Sequence, residues 1–126
     1  MIDVVPIPGH DVVSIALYDR NTAILLAGDS VYPGRLYIQD LSAFEQSNRR
    51  MLRFTEGKLV AHILGNHIEM TTTPGRDFAM HIPAHPHEHV LQLPYSALLE
   101  LKKSVDAMGD QPRLDIHADF ILYPVP

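Results

Sequence analysis

Two short apolar runs near the start of the chain constrain its fold more than any other feature. Residues 12–18 (VVSIALY) are rich in β-branched side chains, residues 23–27 (AILLA) are apolar throughout, and the turn-like residues 19–22 separate them. Runs this short and this close together predict a β-hairpin. Neither run alternates strictly between apolar and polar side chains, which is typical of strands covered on both faces.

Three further runs are typical of strands. Residues 4–7 are apolar, and residues 59–64 (LVAHIL) predict a buried strand bounded by Gly57 and Gly65. Residues 114–123 alternate between apolar and polar side chains. This alternation predicts one strand with a polar face.

Two segments have helical periodicity. Ser42 as N-cap and Glu45 as its reciprocal partner fit a capping box and predict a helix over residues 43–54. Pro94 opens a second helix that ends at Gly109. Its apolar stripe consists of Leu98, Leu101, Val105 and Met108.

The order of these elements predicts the fold class. Strand, hairpin, helix, strand, long loop, helix and strand indicate an α/β chain of the layered α+β kind. We expect a single domain over residues 1–126, with a mixed sheet and both helices on one face.

Composition argues against several classes of function. The net charge is −5, the pI is near 5.8, and no basic run is longer than Lys102-Lys103, which argues against nucleic acid or an anionic membrane as partner. No apolar stretch approaches the ~20 residues that cross a bilayer, and the first residues do not resemble a secretory signal. The chain has no cysteine, which excludes thiolate metal sites, and we expect a cytoplasmic protein.

Three potential metal ligands each follow a strand-like run. His10 comes after Pro8-Gly9, Asp29 after Gly28, and His67 after Gly65-Asn66, in a chain with eight histidines. Loops at strand ends let a rigid sheet present ligands. Two imidazoles and a carboxylate suit Zn²⁺, Mn²⁺ or Fe²⁺. A structural role for each residue taken alone remains the alternative, because histidine beside glycine and the pair Gly-Asp are common in turns.

The motifs around these residues resemble a known family. They are PGH at residues 8–10, LLAGDS at 25–30, VYPGRLY at 31–37 and LGNHIE at 64–69, with a looser likeness at 89–93. In this order they resemble the C-terminal half of the metallo-β-lactamase superfamily. They are most similar to its hydrolase branch related to hydroxyacylglutathione hydrolases.

The resemblance implies half of an αββα sandwich and a dinuclear metal site. His10 would bind the first metal, Asp29 would bridge both metals, and His67 would bind the second. The metals would be zinc, with iron or manganese as alternatives, and Asp29 would be a catalytic residue. A metal-activated water would attack an ester, thioester, amide or phosphoester bond of a small-molecule substrate.

The family's main metal motif, His-x-His-x-Asp-His, is absent from the chain. The segment His85-Pro86-His87-Glu88-His89 is superficially similar to it, but follows the other ligands and lacks the Asp-His ending. We therefore expect a truncated domain that does not hydrolyse substrates by itself. Two alternatives stay open: a non-catalytic, self-associating half-domain, and a His-rich metal-binding protein.

Two expectations concern binding surfaces. Tyr32, Arg35 and Tyr37 follow the Asp29 loop and are candidates for lining a substrate cleft, where Arg35 would bind a carboxylate or phosphate. Packing roles for the tyrosines and a surface role for Arg35 are equally consistent with the sequence. The family stacks two halves sheet against sheet, so a lone half exposes the inner face of its sheet. We expect a homodimer through that face.

Overall fold

The computed structural model describes all 126 residues, Met1–Pro126, and contains seven strands and two helices. In chain order they are β1 (Ile2–Pro6), β2 (Ile15–Asp19), β3 (Ile24–Gly28), β4 (Arg35–Ile38), α1 (Leu41–Thr55), β5 (His62–Gly65), α2 (Tyr95–Met108), β6 (Asp115–Ile116) and β7 (Ile121–Pro124). The expected α+β class is confirmed. Neither helix has both the length and the apolar character that crossing a membrane requires.

The strands form two mixed sheets. The larger sheet has the order β1-β2-β3-β5, with β2 antiparallel to both of its neighbours and β5 parallel to β3. The predicted hairpin is therefore present as β2 and β3. The smaller sheet has the order β4-β7-β6, in which β4 and β7 are parallel. The pairing of β4 with β7 joins segments that are far apart in sequence. Local sequence patterns do not indicate such a pairing, so only one sheet was predicted.

The prediction of one strand over residues 114–123 is wrong. This segment is a tight hairpin of β6 and β7, closed by a hydrogen bond from the His117 amide to the Phe120 carbonyl at 2.9 Å. The chain reverses around Asp119, whose carboxylate contacts His89. Polar and apolar side chains alternate in the same way before and after this turn. The alternation therefore did not indicate that the chain reverses direction here.

The helix boundaries follow the predicted ones with one correction. The N-cap of α1 is Asp40, not Ser42, because the Ala43 amide donates to the Asp40 carboxylate at 3.0 Å. Ser42 lies in the first turn instead. The second helix begins after Pro94 and ends before Gly109, as predicted, and Gly109 has a φ of 60°.

A single core joins the helices to one face of the larger sheet. Alternate strand residues such as Val5, Ala16, Leu25 and Ile63 are buried there. They form one cluster with the buried stripes of both helices and with β4 and β7. The predicted buried strand at 59–64 is shorter than expected and runs from His62, leaving Leu59 exposed.

Candidate metal centre

The three predicted ligands lie together at one edge of the larger sheet. Strands β1 and β3 run in the same direction because both are antiparallel to β2, and β5 is parallel to β3. The carboxyl ends of all three strands therefore meet at one edge, where His10, Asp29 and His67 follow them. The distances between these side chains place them in direct proximity, as the shared site implied by the resemblance requires.

Asp29 lies between the two imidazoles. Its Oδ1 is 2.9 Å from His67 Nε2, and its Oδ2 is 3.7 Å from His10 Nε2. Each carboxylate oxygen thus faces a different histidine. We refer to His10, Asp29 and His67 as the candidate metal centre.

Close backbone packing requires two of the glycines that precede these residues. A side chain at Gly9, which has a φ of 140°, would place its Cβ 2.5 Å from the Phe44 Cα. A Cβ at Gly65 would lie 2.3 Å from the Val31 carbonyl oxygen. Only glycine fits such contacts, so the turns carrying His10 and His67 depend on it.

The backbone of β4 orients His10. The His10 Nδ1 lies 3.0 Å from the Tyr37 carbonyl oxygen. Because a carbonyl only accepts hydrogen bonds, Nδ1 carries the proton, and in the neutral ring Nε2 presents a lone pair towards Asp29. Such a contact to the distal nitrogen is what fixes metal-binding histidines in proteins.

Neighbouring side chains hold Asp29 and His67. The Asn66 amide donates to Asp29 Oδ1 at 3.2 Å. The Tyr32 ring meets the His67 ring edge to face, with centroids 5.2 Å apart. Tyr32 is buried, its hydroxyl donates to the Arg35 carbonyl, and burial together with the charges of Glu69 and Asp29 raises its pKa above the usual range. Tyr32 is therefore a neutral packing residue.

Arg35 lies buried behind the site and not in an open cleft. Its guanidinium donates to Asp77, Glu69, the Phe78 carbonyl and the Tyr37 hydroxyl at 2.7–3.1 Å. Burial acts to lower the pKa of Arg35, but the hydrogen bonds to Asp77 and Tyr37 and the charge of Glu69 outweigh it, so the pKa is raised overall. The cation fixes β4, which in turn supplies the carbonyl that orients His10.

Tyr32 and Arg35, two of the three predicted cleft residues, are buried, and the third, Tyr37, is half-buried. The cavity beside the site is lined by different residues. It has a volume of about 340 Å³ and is bounded by Pro8, Gly9, His10, Asp11, Val12, Gln39, Asp40 and Ala43. A substrate at this site would thus lie against His10 and the start of α1.

The three histidines of the loop at residues 85–89 do not form a common metal site. His85 contacts Glu88 at 3.1 Å and stacks on Phe78, His89 contacts Asp119 at 2.9 Å, and His87 is exposed. These separate contacts do not bring the three rings onto a common ion.

The candidate metal centre itself is not in a closed coordination geometry. No group of three or more His, Asp or Glu side chains has the arrangement of a bound-metal cluster. The 2.9 Å between Asp29 and His67 is a direct contact. Ligand atoms on a tetrahedral zinc with bonds of 2.0–2.1 Å are about 3.3 Å apart. Metal entry therefore requires a small rotation of one of these side chains.

Sequence reasoning missed the supporting groups. The Tyr37 carbonyl and Asp77 carried no signal, because a backbone acceptor and a distant carboxylate have no local pattern. Asn66 and Glu69 did have one, since both lie in the motif LGNHIE.

Comparison with known proteins adds no relative. No family model, curated protein or solved structure matches the chain.

Proposed function

We propose that the chain binds a divalent metal ion through His10, Asp29 and His67 and contributes these ligands to a metal-dependent hydrolase of the metallo-β-lactamase type. One observation carries the proposal. The Asp29 carboxylate directs one oxygen to each of two histidine Nε2 atoms, at 2.9 and 3.7 Å.

The donor set fits the proposed ion. Two imidazoles and a carboxylate are ligands that zinc, iron and manganese accept. The side chains are partly exposed, at 23% for His10, 35% for Asp29 and 54% for His67, so an ion can reach them. The Tyr37 carbonyl and the Asn66 amide already hold His10 and Asp29 in position.

The chemistry follows from these ligands. A bound divalent ion supplies a water of lowered pKa that can attack an ester, thioester, amide or phosphoester. Asp29 holds the two histidines at a common point, and His10 lies at the wall of the neighbouring cavity. A small substrate in that cavity would reach the ion from the His10 side.

Titration with Co²⁺ tests the proposal, because its absorption spectrum reports nitrogen and oxygen ligands. We expect saturable binding by the wild type and its loss in Asp29→Ala, His10→Ala and His67→Ala. The matched control is His87→Ala, an exposed histidine outside the site, which should bind as the wild type does.

Two results would overturn the proposal. One is binding that persists in Asp29→Ala. The other is binding that is lost when the loop histidines 85, 87 and 89 are replaced together, which would assign the protein to the class of His-rich metal-binding proteins.

A further inference from the structure

The side of the larger sheet that faces away from the helices is apolar and uncovered. Inter-strand register aligns Val4, Leu17, Leu26 and Leu64 in one row across all four strands. We call this side the outer sheet face. Its other apolar members are Ile2, Pro6, Ile15 and Ile24.

Exposure on this face is high for such side chains. Val4 is 61% exposed and Leu26, in the middle of the sheet, is 37% exposed. Alternate residues of the same strands, such as Val5 and Leu25, are buried in the core. A contiguous apolar surface of this kind on a soluble domain marks an interaction site.

Both edges of the sheet are protected, whereas the face is not. At the β5 edge, Ile63 exchanges backbone hydrogen bonds with Leu93 at 2.8 and 2.9 Å. β1 is an edge strand that contains Pro6, and its Asp3 forms an ion pair with Arg20 at 2.8 Å. Proline and charge at an edge oppose strand addition. Docking through the face is therefore favoured over docking through the edge.

Charge complementarity favours a second copy of the chain as the occupant. The only ionisable side chains on the outer sheet face are Asp19 and His62, which flank Ile24 in one row. Two copies can stack these faces about a twofold axis that lies between the sheets and runs along β3. This axis places β2 of one copy opposite β5 of the other. Asp19 of each copy then faces His62 of the other, Leu17 faces Leu64, and Leu26 meets its own copy.

We propose that two chains associate through their outer sheet faces, with this twofold axis over β3. The proposal is independent of metal binding. Stacked sheets lie about 10 Å apart, and the three strands that overlap in this arrangement, each of about five residues, span roughly 240 Å² of plane. Specific interfaces bury about 800 Å² per partner. The dimer is therefore a weak one that forms at micromolar to submillimolar concentration.

Sedimentation equilibrium over that concentration range tests the association. We expect the mass to rise from 14.1 kDa towards twice that value. Leu26→Lys should remain monomeric, whereas Leu99→Lys, at a leucine on α2 that is 51% exposed, should behave as the wild type does. Leu17→Lys repeats the test at a position that faces Leu64 of the other copy, and it serves if Leu26→Lys fails to fold by circular dichroism.

Two variants of one residue test the arrangement. His62→Asp places like charges opposite each other and should weaken association by about tenfold, whereas His62→Lys should strengthen it. The chain has no cysteine, so a single Leu26→Cys should be joined to its own copy by a short bis-maleimide, and Leu99→Cys should not.

Three outcomes would overturn the proposal. A wild type that is monomeric throughout the range excludes the second copy. A dimer that survives both Leu26→Lys and Leu17→Lys uses another surface. A monomer that binds neutral phosphatidylcholine vesicles, and loses this binding in Leu26→Lys, assigns the face to lipid.

Discussion

At the candidate metal centre, the side chains that would bind the ion have further contacts that fix their direction. His10 is held by the Tyr37 carbonyl, Asp29 by the Asn66 amide, and His67 by the Tyr32 ring. Such supporting contacts typically change metal affinity by 10–100-fold. The residues behind the ligands therefore matter nearly as much as the ligands themselves.

Replacing Asn66 tests this support. Asn66→Ala removes the donor to Asp29 Oδ1 and frees the carboxylate to rotate. We expect Co²⁺ affinity to fall by about tenfold, the low end for such contacts. Titration calorimetry measures the change, with Asn21→Ala in an exposed turn as the control. Equal affinities for the wild type and Asn66→Ala would show that Asn66 does not orient Asp29.

Arg35 contributes to the stability of the fold and does not contact the candidate metal ligands directly. Arg35→Met leaves the carboxylates of Glu69 and Asp77 without their cation. Removing one partner of a buried pair costs about 3–5 kcal/mol. Since these carboxylates are partly exposed, we expect a loss of about 2–3 kcal/mol in urea unfolding.

The matched control is Arg49→Met on α1, where the arginine pairs with Glu45 at the surface. Because this pair is exposed to solvent, its replacement should leave the urea midpoint almost unchanged. Similar losses for the two variants would contradict a structural role for Arg35.

Among the elements, those with strong local periodicity were predictable. The stripe of α2 and the β2–β3 hairpin match the structure because their signals lie within a few residues. The N-cap of α1 was misplaced because Asp40 and Ser42 are both good capping residues. The β4–β7 pairing depends on contacts across more than half of the chain, and no local pattern indicates it.

The candidate site was predictable in part, because its three residues lie in short local motifs. His10, Asp29 and His67 each follow a strand, and strand direction brings them together. Their convergence could be inferred from motif order, but the buried position of Arg35 could not. It depends on Glu69 and Asp77 returning from the long loop to contact β4.

The β6–β7 hairpin is attached to α2 by a cluster that depends on pH. Asp115 accepts a hydrogen bond from Ser104, and His117 contacts both Asp115 and Glu100. The Ser104 hydrogen bond, and after it the contact with His117, lowers the pKa of the Asp115 carboxyl below its usual range. The ionised carboxylate thus stabilises the fold above about pH 4, and this stability is lost as the pH falls through the folded-state pKa.

Replacing Asp115 tests that pH dependence. Asp115→Asn should unfold at lower urea than the wild type at pH 7, by about 1 kcal/mol. The difference should persist down to about pH 4 and narrow below it. Asp110→Asn, at an exposed carboxylate beyond α2, is the control. A difference that persists unchanged at pH 2 would contradict the role of the ionised carboxylate.

For the whole molecule, the ligand set limits catalysis. A catalytic zinc normally has three protein ligands. With Asp29 shared, each of two metals would have only two ligands from this chain. We therefore expect no hydrolysis of generic thioester, lactone or phosphodiester substrates above the metal-only background. Metal-dependent turnover that disappears in Asp29→Ala would show that these ligands suffice.

The most direct test of the metal centre observes the histidine rings themselves. Long-range ¹H–¹⁵N spectra recorded during Zn²⁺ titration distinguish the two nitrogens of each imidazole. We predict that the Nε2 resonances of His10 and His67 shift together, that His10 Nδ1 stays protonated on the Tyr37 carbonyl, and that His62 and His87 do not change. Shifts confined to His85, His87 and His89, with His10 and His67 unaffected, would contradict the assignment of the metal centre.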